Sequence, residues 1–132
     1  QREHFAELTG INTQTREITG KFIFPSITDS PTCLQIDGKG ENLFYLNNGV
    51  MKMSINASQL PDTPLISGSN GNFYKLAINQ DNNEIFVTDV SDYQHKGFLF
   101  RFNRNGDLLA KMQTDLIPGS VCFRPGSFLP EK

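Results

Sequence analysis

The densest group of chemically capable side chains in the sequence is Asp89-Val-Ser-Asp-Tyr-Gln-His-Lys-Gly97. Asp89, Asp92, Tyr93, His95 and Lys96 combine two carboxylates, a phenol with a flat apolar face, an imidazole and an ammonium. That mixture suits recognition of a polar ligand. The same pattern also describes a solvated loop whose Asp89 and Asp92 cap turns through their own backbone. A second polar stretch is Ser67-Gly-Ser-Asn-Gly-Asn72. Its Ser69, Asn70 and Asn72 would flank backbone N–H groups able to cradle an anion, or the stretch is a plain Gly-rich linker. It is no phosphate-binding motif, since no Gly-Lys-Ser/Thr and no strand-to-helix context follow.

Catalysis finds little footing. The only histidines are His4 and His95, no serine sits in a nucleophile-elbow sequence, and neither Cys33 nor Cys122 has a base in view. A lactonase-like metal cage would need Glu, Asn and Asp together on inner strands. Asp37 and Asn79 offer one oxygen donor per repeat, so such an enzyme would need further repeats to complete its site. Asp81 and Glu84 could suggest calcium, but their spacing fits no EF-hand or β-roll loop. The expectation is a binding protein with no catalytic residues, no metal and no cofactor.

Composition narrows the partners. Twelve basic and 14 acidic residues give a net charge of −2, with no basic stripe to neutralise phosphates, which excludes the usual nucleic-acid binder. The longest clean apolar runs are triplets such as Phe22-Ile23-Phe24 and Phe98-Leu99-Phe100, far short of the roughly 18 residues of a membrane helix. The chain starts at Gln1 without an initiator Met or a secretion signal. That start is expected of a mature, processed or excised form.

The elements that must carry these residues repeat. Leu34–Asn47 lies over Leu76–Asp89 without a gap, at an offset of 42. Leu34/Leu76, Ile36/Ile78 and Phe44/Phe86 are identical, and Asp37/Asn79, Leu43/Ile85 and Asn47/Asp89 are close substitutions. The match resumes at an offset of 47, with Met51, Met53 and Ile55 over Phe98, Phe100 and Phe102. On this alignment the second copy carries five extra residues in the connection holding Asp92–Lys96. A partial third copy places Val121 and Phe123 where Leu76 and Ile78 fall.

Each unit reads as antiparallel β. Apolar residues alternate with period two in Leu76/Ile78 and in Phe98/Phe100/Phe102. Gln80–Asn83 and Asn105-Gly106 read as hairpin turns. The second unit predicts strands A to D near 74–79, 84–90, 98–103 and 108–114. The first predicts them near 33–37, 42–47, 50–55 and 63–67, the last weakened by Pro61 and Pro64. Phe5–Asn12 and Glu17–Phe24, around a polar turn at 13–16, read as strands C and D of a preceding unit. With a closing inner strand at 117–123, the chain 1–132 is a single fragment holding two strands (1–24), two full units (32–67 and 73–114) and one lone strand.

Tandem four-stranded units of 40–50 residues mark a β-propeller, so the fold class is all-β, a partial propeller of about two and three-quarter antiparallel blades. A ring needs at least about four blades, more than 132 residues supply. Further blades from a longer polypeptide or from other chains are therefore expected partners. The alternative is a small antiparallel sandwich or barrel. In a propeller the B–C and D–A connections share one rim. Asp92–Lys96 and Ser69–Asn72 thus belong on the same face, where loops on a rigid scaffold concentrate binding residues.

The stretches Phe73–Asn79, Ile85-Phe-Val-Thr-Asp-Val-Ser-Asp-Tyr93, Lys96–Asp107 and Ile117-Pro-Gly119 resemble the last blade of the seven-bladed surface-layer-type (YncE-like) propellers of Bacteroides and relatives. The aromatic pair usual after Pro-Gly is replaced by Ser120-Val-Cys122. The resemblance covers 73–123 directly and 1–60 through the repeat. A looser likeness is to NHL repeats. Some members of the first family are surface lipoproteins that capture cobalamin for an outer-membrane transporter. The resemblance therefore implies an exported protein, in the periplasm or at the outer-membrane surface, that binds a small-molecule ligand or a transporter partner. A protein–protein scaffold is the third reading.

Cys33 and Cys122 fall on inner strands two blades apart. Their Cα atoms are expected to exceed the roughly 7 Å reach of a disulfide, leaving two free thiols.

Overall fold

The computed structural model describes residues 4–124; residues 1–3 and 125–132 lie outside them. Two strands come first, β1 (Glu7–Ile11) and β2 (Ile18–Ile23), joined as an antiparallel pair. A four-stranded sheet follows: β3 (Thr32–Ile36), β4 (Asn42–Leu46), β5 (Gly49–Ser54) and β6 (Ile66–Ser67), hydrogen-bonded in chain order. A single 3-10 turn, Gly68–Asn70, leads to a second sheet of the same order: β7 (Phe73–Ile78), β8 (Ile85–Asp89), β9 (Phe98–Phe102) and β10 (Leu108–Gln113). No α-helix occurs among the described residues.

One piece of side-chain chemistry closes the hairpins. Four of the turns begin with an Asn or Asp whose side-chain oxygen accepts nearby backbone N–H groups, the arrangement these residues adopt most readily. Asn12 Oδ1 accepts from Gln14 at 2.9 Å, Asp37 Oδ1 from Glu41 at 2.8 Å, Asn79 Oδ1 from Asp81 at 3.0 Å and Asn103 Oδ1 from Asn105 at 2.9 Å. The same turns need a left-handed residue, supplied by Gly40 (φ 72°) and Gly106 (φ 88°) and, at the cost of some strain, by Arg16 and Asn83.

The internal repeat holds at the level of single hydrogen bonds. Asp37 N donates to Asn42 O at 3.0 Å, and 42 residues on Asn79 N donates to Glu84 O at 2.9 Å. The third strand departs from the sequence alignment. Leu43 on β4 faces Met53 on β5, while its counterpart Ile85 on β8 faces Phe102 on β9. The offset there is therefore 49, not 47, and the second connection is longer by seven residues, not five. A two-residue slip preserves which face each side chain occupies, so the hydrophobic pattern cannot detect it.

Two other elements depart from expectation. The fourth strand of the first sheet is reduced to Ile66–Ser67, because Pro61 and Pro64 have no N–H to give to a ladder. Residues 117–123 form no ladder. An inner strand pairs only with the second strand of its own sheet, and no described strand stands there. Phe123 nonetheless packs edge-on against Phe86, ring centroids 5.0 Å apart. Phe86 is the repeat counterpart of Phe44, so the segment lies against the place its alignment assigned, without the pairing.

Alternation divides the core in two. Phe44, Leu46 and Val50 face the second sheet and meet Leu76, Ile78, Ile85, Val87, Phe100 and Phe102 in one buried cluster. On the opposite face of the first sheet Tyr45, Met51 and Met53 bury Phe24 and pack against Leu8 and Phe22 of the β1–β2 pair. Sheets therefore pack face to face in sequence order, leaving the connections at the two ends of the strands.

Candidate functional site

The B–C and D–A connections of both sheets meet at one end of the strands, as expected of the two polar stretches. A clasp holds them there. Asp89, buried at the end of β8, accepts hydrogen bonds from Ser91 N at 2.7 Å and Asn72 N at 3.3 Å. Asn72 returns a bond from Nδ2 to Ser91 O at 3.0 Å, and its carbonyl accepts from Val90 N at 3.2 Å. A β-carbon at position 71 would collide with the Asp89 carboxylate, so Gly71 is required for this approach. The same clasp occurs one repeat earlier: Asn47 Oδ1 accepts from Ser30 N at 3.2 Å and Asn47 Nδ2 donates to Asp29 Oδ1 at 3.1 Å. Positions 30 and 47 precede 72 and 89 by 42 residues. Asp89 and Asn72 thus carry out a task that recurs in each repeat, tying the entry of an inner strand to the exit of its neighbour.

Beyond the clasp, the long connection is closed on itself. Asp92 Oδ1 accepts from Gln94 N at 3.0 Å and His95 N at 2.9 Å, and Oδ2 lies 2.7 Å from His95 Nδ1. The His95 side chain, then the backbone amides of His95 and Gln94, pull the Asp92 carboxyl down to about 2. Tyr93 stands half exposed with a left-handed φ of 65°, and the Lys96 ammonium lies 3.9 Å from Asp115. Asp92, Tyr93, His95 and Lys96 make an exposed polar knob on the rim.

The concave part of the rim lies over the first sheet. A cleft of about 610 Å³ is lined by Asp29, Asn47, Asn48, Asp62 and Ser69 above the buried rings of Phe24 and Tyr45. A smaller one, about 250 Å³, lies between the starts of β3 and β7 and is lined by Ser30, Asn48, Gly49, Gly68, Gly71 and Asn72. Asn47, Asn48 and Gly68 border both. Of the residues chosen from sequence, Ser69 and Asn72 line these clefts. Asn70 is exposed beside them, and the knob residues 92–96 line neither. Asn48 and Gly49 were missed. Their signal was the short Asn-Asn-Gly turn at 47–49, in which Asn48 (φ 52°) and Gly49 (φ 132°) are both left-handed. That three-residue connection borders both clefts.

The other groups considered from sequence have local partners. Glu84 accepts a two-pronged bond from Arg101 at 2.8 and 2.7 Å, and that guanidinium holds its carboxyl below the ordinary range. Among the described residues no three His, Cys, Asp or Glu side chains converge as a metal site. Cys33 and Cys122 are both free thiols, Cys33 lying 3.7 Å from Tyr74 O.

No protein-family model and no curated protein matches this sequence. Among solved structures the fold is similar to a quinonprotein alcohol dehydrogenase-like protein from Bacteroides thetaiotaomicron, with a TM-score of 0.67 at 12% identity. The match covers 87% of this chain and 30% of that one. The fold is a partial β-propeller. Its β1–β2 pair and its two four-stranded sheets are blades in the expected order, and the clefts open on the rim formed by the B–C and D–A connections.

Proposed function

We propose that this chain is part of a non-catalytic binding propeller, acting at the bacterial cell surface or in the periplasm, that captures a small ligand through this rim. The observation that carries the reading is the pair of adjoining clefts sharing Asn47, Asn48 and Gly68. Side-chain amides, hydroxyls and open backbone line them above an aromatic floor, the mixture that orients a small polar ligand while burying its apolar part. The exposed knob at Asp92, Tyr93, His95 and Lys96 stands beside the clefts, where a transporter or other protein partner would read it. Corrinoids, implied by the sequence resemblance, are the first ligands to test.

The test is a thermal-shift panel of corrinoids, oligosaccharides and divalent cations. A ligand at one hundred times its Kd stabilises the native state by about 2.7 kcal/mol, a rise on the order of 10 °C for a chain of this size. In Asn48→Gly, which keeps the left-handed backbone and deletes the amide bordering both clefts, that rise should shrink while the unliganded melting point holds. A rise undiminished in Asn48→Gly, or none with any compound, would refute the rim-cleft reading. Ligand turnover instead of simple binding would favour the lactonase-like alternative.

A further inference from the structure

We propose that the larger rim cleft receives the ammonium end of a small organic cation, with Asp62 as its counter-ion and the Tyr45 hydroxyl as a hydrogen-bond partner on the floor. The inference rests on the rim-cleft reading and names, from the lining itself, the chemical class of the ligand.

The wall that carries Asp62 is a part of the first unit that the second does not repeat. Between β9 and β10 the chain turns within residues 103–107, closed on Asn103 Oδ1. Between β5 and β6 it runs through residues 55–65. Ala57 and Leu60 of this longer connection pack on the buried cluster of Phe24, Tyr45, Met51 and Met53. Leu65 N returns the chain to the sheet with a bond to Val50 O at 2.8 Å. Pro61 and Pro64 fix two of the φ angles in between, so this wall has little freedom left to lose when a ligand arrives. The strand length given up at these prolines becomes the side of a cavity, lined by Leu60, Pro61, Asp62 and Pro64.

The lining carries one sign of charge. Asp29 and Asp62 are its only charged side chains among the described residues, although the chain holds 12 basic groups. Asp29 is engaged by Asn47 Nδ2 and Ser26 N. Asp62 is exposed, and its carboxylate makes no hydrogen bond or ion pair with any described residue.

Tyr45 marks the floor. It is only 2% exposed, yet its hydroxyl makes no hydrogen bond among the described residues. No fully enclosed side-chain oxygen or nitrogen there lacks a partner, so this hydroxyl opens on a cavity. Burial, then the negative charge of Asp29, push the phenol up, which puts it in the field of the cleft's own carboxylate. A hydroxyl so placed is costly until a ligand or water completes it. An ammonium group brings three N–H donors, and the Asp62 carboxylate, the Tyr45 oxygen and the Asn48 amide oxygen are acceptors for them. Met51 and Leu60 flank its apolar stem. A carboxylate ligand would meet like charges and no cation, which excludes it by repulsion.

The test applies three compounds of one shape to the full 132-residue chain: benzylamine, benzyl alcohol and benzoate, which are cationic, neutral and anionic at neutral pH. In titrations followed by amide NMR, benzylamine should saturate with a Kd of about 10 mM or tighter, as a ligand of its size allows, and shift Asn48, Gly68 and Ser69. Benzyl alcohol should bind about tenfold more weakly, and benzoate not measurably. Asp62→Asn, at an exposed position without a partner, should weaken benzylamine about fivefold and leave the melting point and the benzyl alcohol affinity unchanged. Asp62→Lys should invert the order of benzylamine and benzoate. Tyr45→Phe, which keeps the buried ring, should weaken benzylamine about threefold or more, whereas Asp92→Asn on the knob should change nothing. Equal affinity for benzylamine and benzyl alcohol, with both lost in Asn48→Gly, would overturn the ammonium assignment while the rim-cleft reading stood. A preference for benzylamine that survives both Asp62 substitutions would put the cation elsewhere and overturn it too. So would the absence of saturation by all three compounds at about 50 mM, a result that leaves the rim-cleft reading to the corrinoids and oligosaccharides of its own panel.

Discussion

The two seams of this molecule are built from one repeat and end in different states. Between the first and second four-stranded blades the faces meet along the full strand length. Phe44, Leu46 and Val50 interleave with six apolar side chains of the next sheet. The far end is sealed by hydrogen bonds from Gln80 Nε2 to Ile36 O at 2.7 Å and from Gly38 N to Asn83 Oδ1 at 3.0 Å. Between β1–β2 and the first blade, only the outer half is closed. The difference teaches that a blade's stability comes from its neighbour's matching face more than from its own hydrogen bonds. The same first sheet buries one face completely and leaves a hydrophobic strip on the other.

That contrast predicts a steep gradient of mutational effects. Ile85→Ala, in the closed seam at a fully buried site, should cost about 2–5 kcal/mol. Leu34→Ala in the open seam should stay within about 0.5 kcal/mol, as for an exposed surface change. Chemical denaturation of the two variants measures both; equal losses would erase the distinction between the seams. Next in size is Gly38→Val. A β-carbon at 38 would collide with the Gln80 carbonyl across the closed seam, so the blades must part at that end, at a cost of about 1–3 kcal/mol. A neutral Gly38→Val would mean that the hairpin ends contribute nothing to closure.

The smallest effect belongs to a loop on neither seam. Asp92 is held at about 2 instead of its ordinary 3.8, first by the His95 side chain. Because the folded-state value is depressed, the interaction is complete above the ordinary carboxyl range and is lost as pH falls toward 2. His95→Ala should return the Asp92 titration, followed by carbon NMR of its carboxyl, most of the way to the ordinary range. The melting point of the molecule should not move. A value that stays near 2 would give the backbone amides of Gln94 and His95 the larger part, and a fall in melting point would connect the loop to the seams.

Much of this architecture was legible in the amino-acid sequence. The period-two alternation in Leu76/Ile78 and Phe98/Phe100/Phe102 placed the strands and their buried faces. The offset of 42 set the Asp37 and Asn79 turns over each other, because Asn and Asp close such turns by local hydrogen bonds. The polar stretches at 67–72 and 89–97 were correctly brought to one rim, since alternating antiparallel strands leave no other place for those connections.

Tertiary structure decided what depends on partners distant in the chain. The register of β5 against β4 and β9 against β8 differed from the alignment by two residues, a shift that preserves every face and so leaves no trace in the apolar pattern. Residues 117–123 have the composition of an inner strand, yet a strand exists only where another backbone accepts its hydrogen bonds. Asp89 and Asn72 have the residue types of ligand contacts, and the fold turns them on each other while Asn72 still lines the smaller cleft beside Asn48 and Gly68. Residue type and local spacing fix the turns and strand faces by short-range bonding, whereas pairing partner, register and cavity are set by which surfaces meet, and that is a property of the assembled blades.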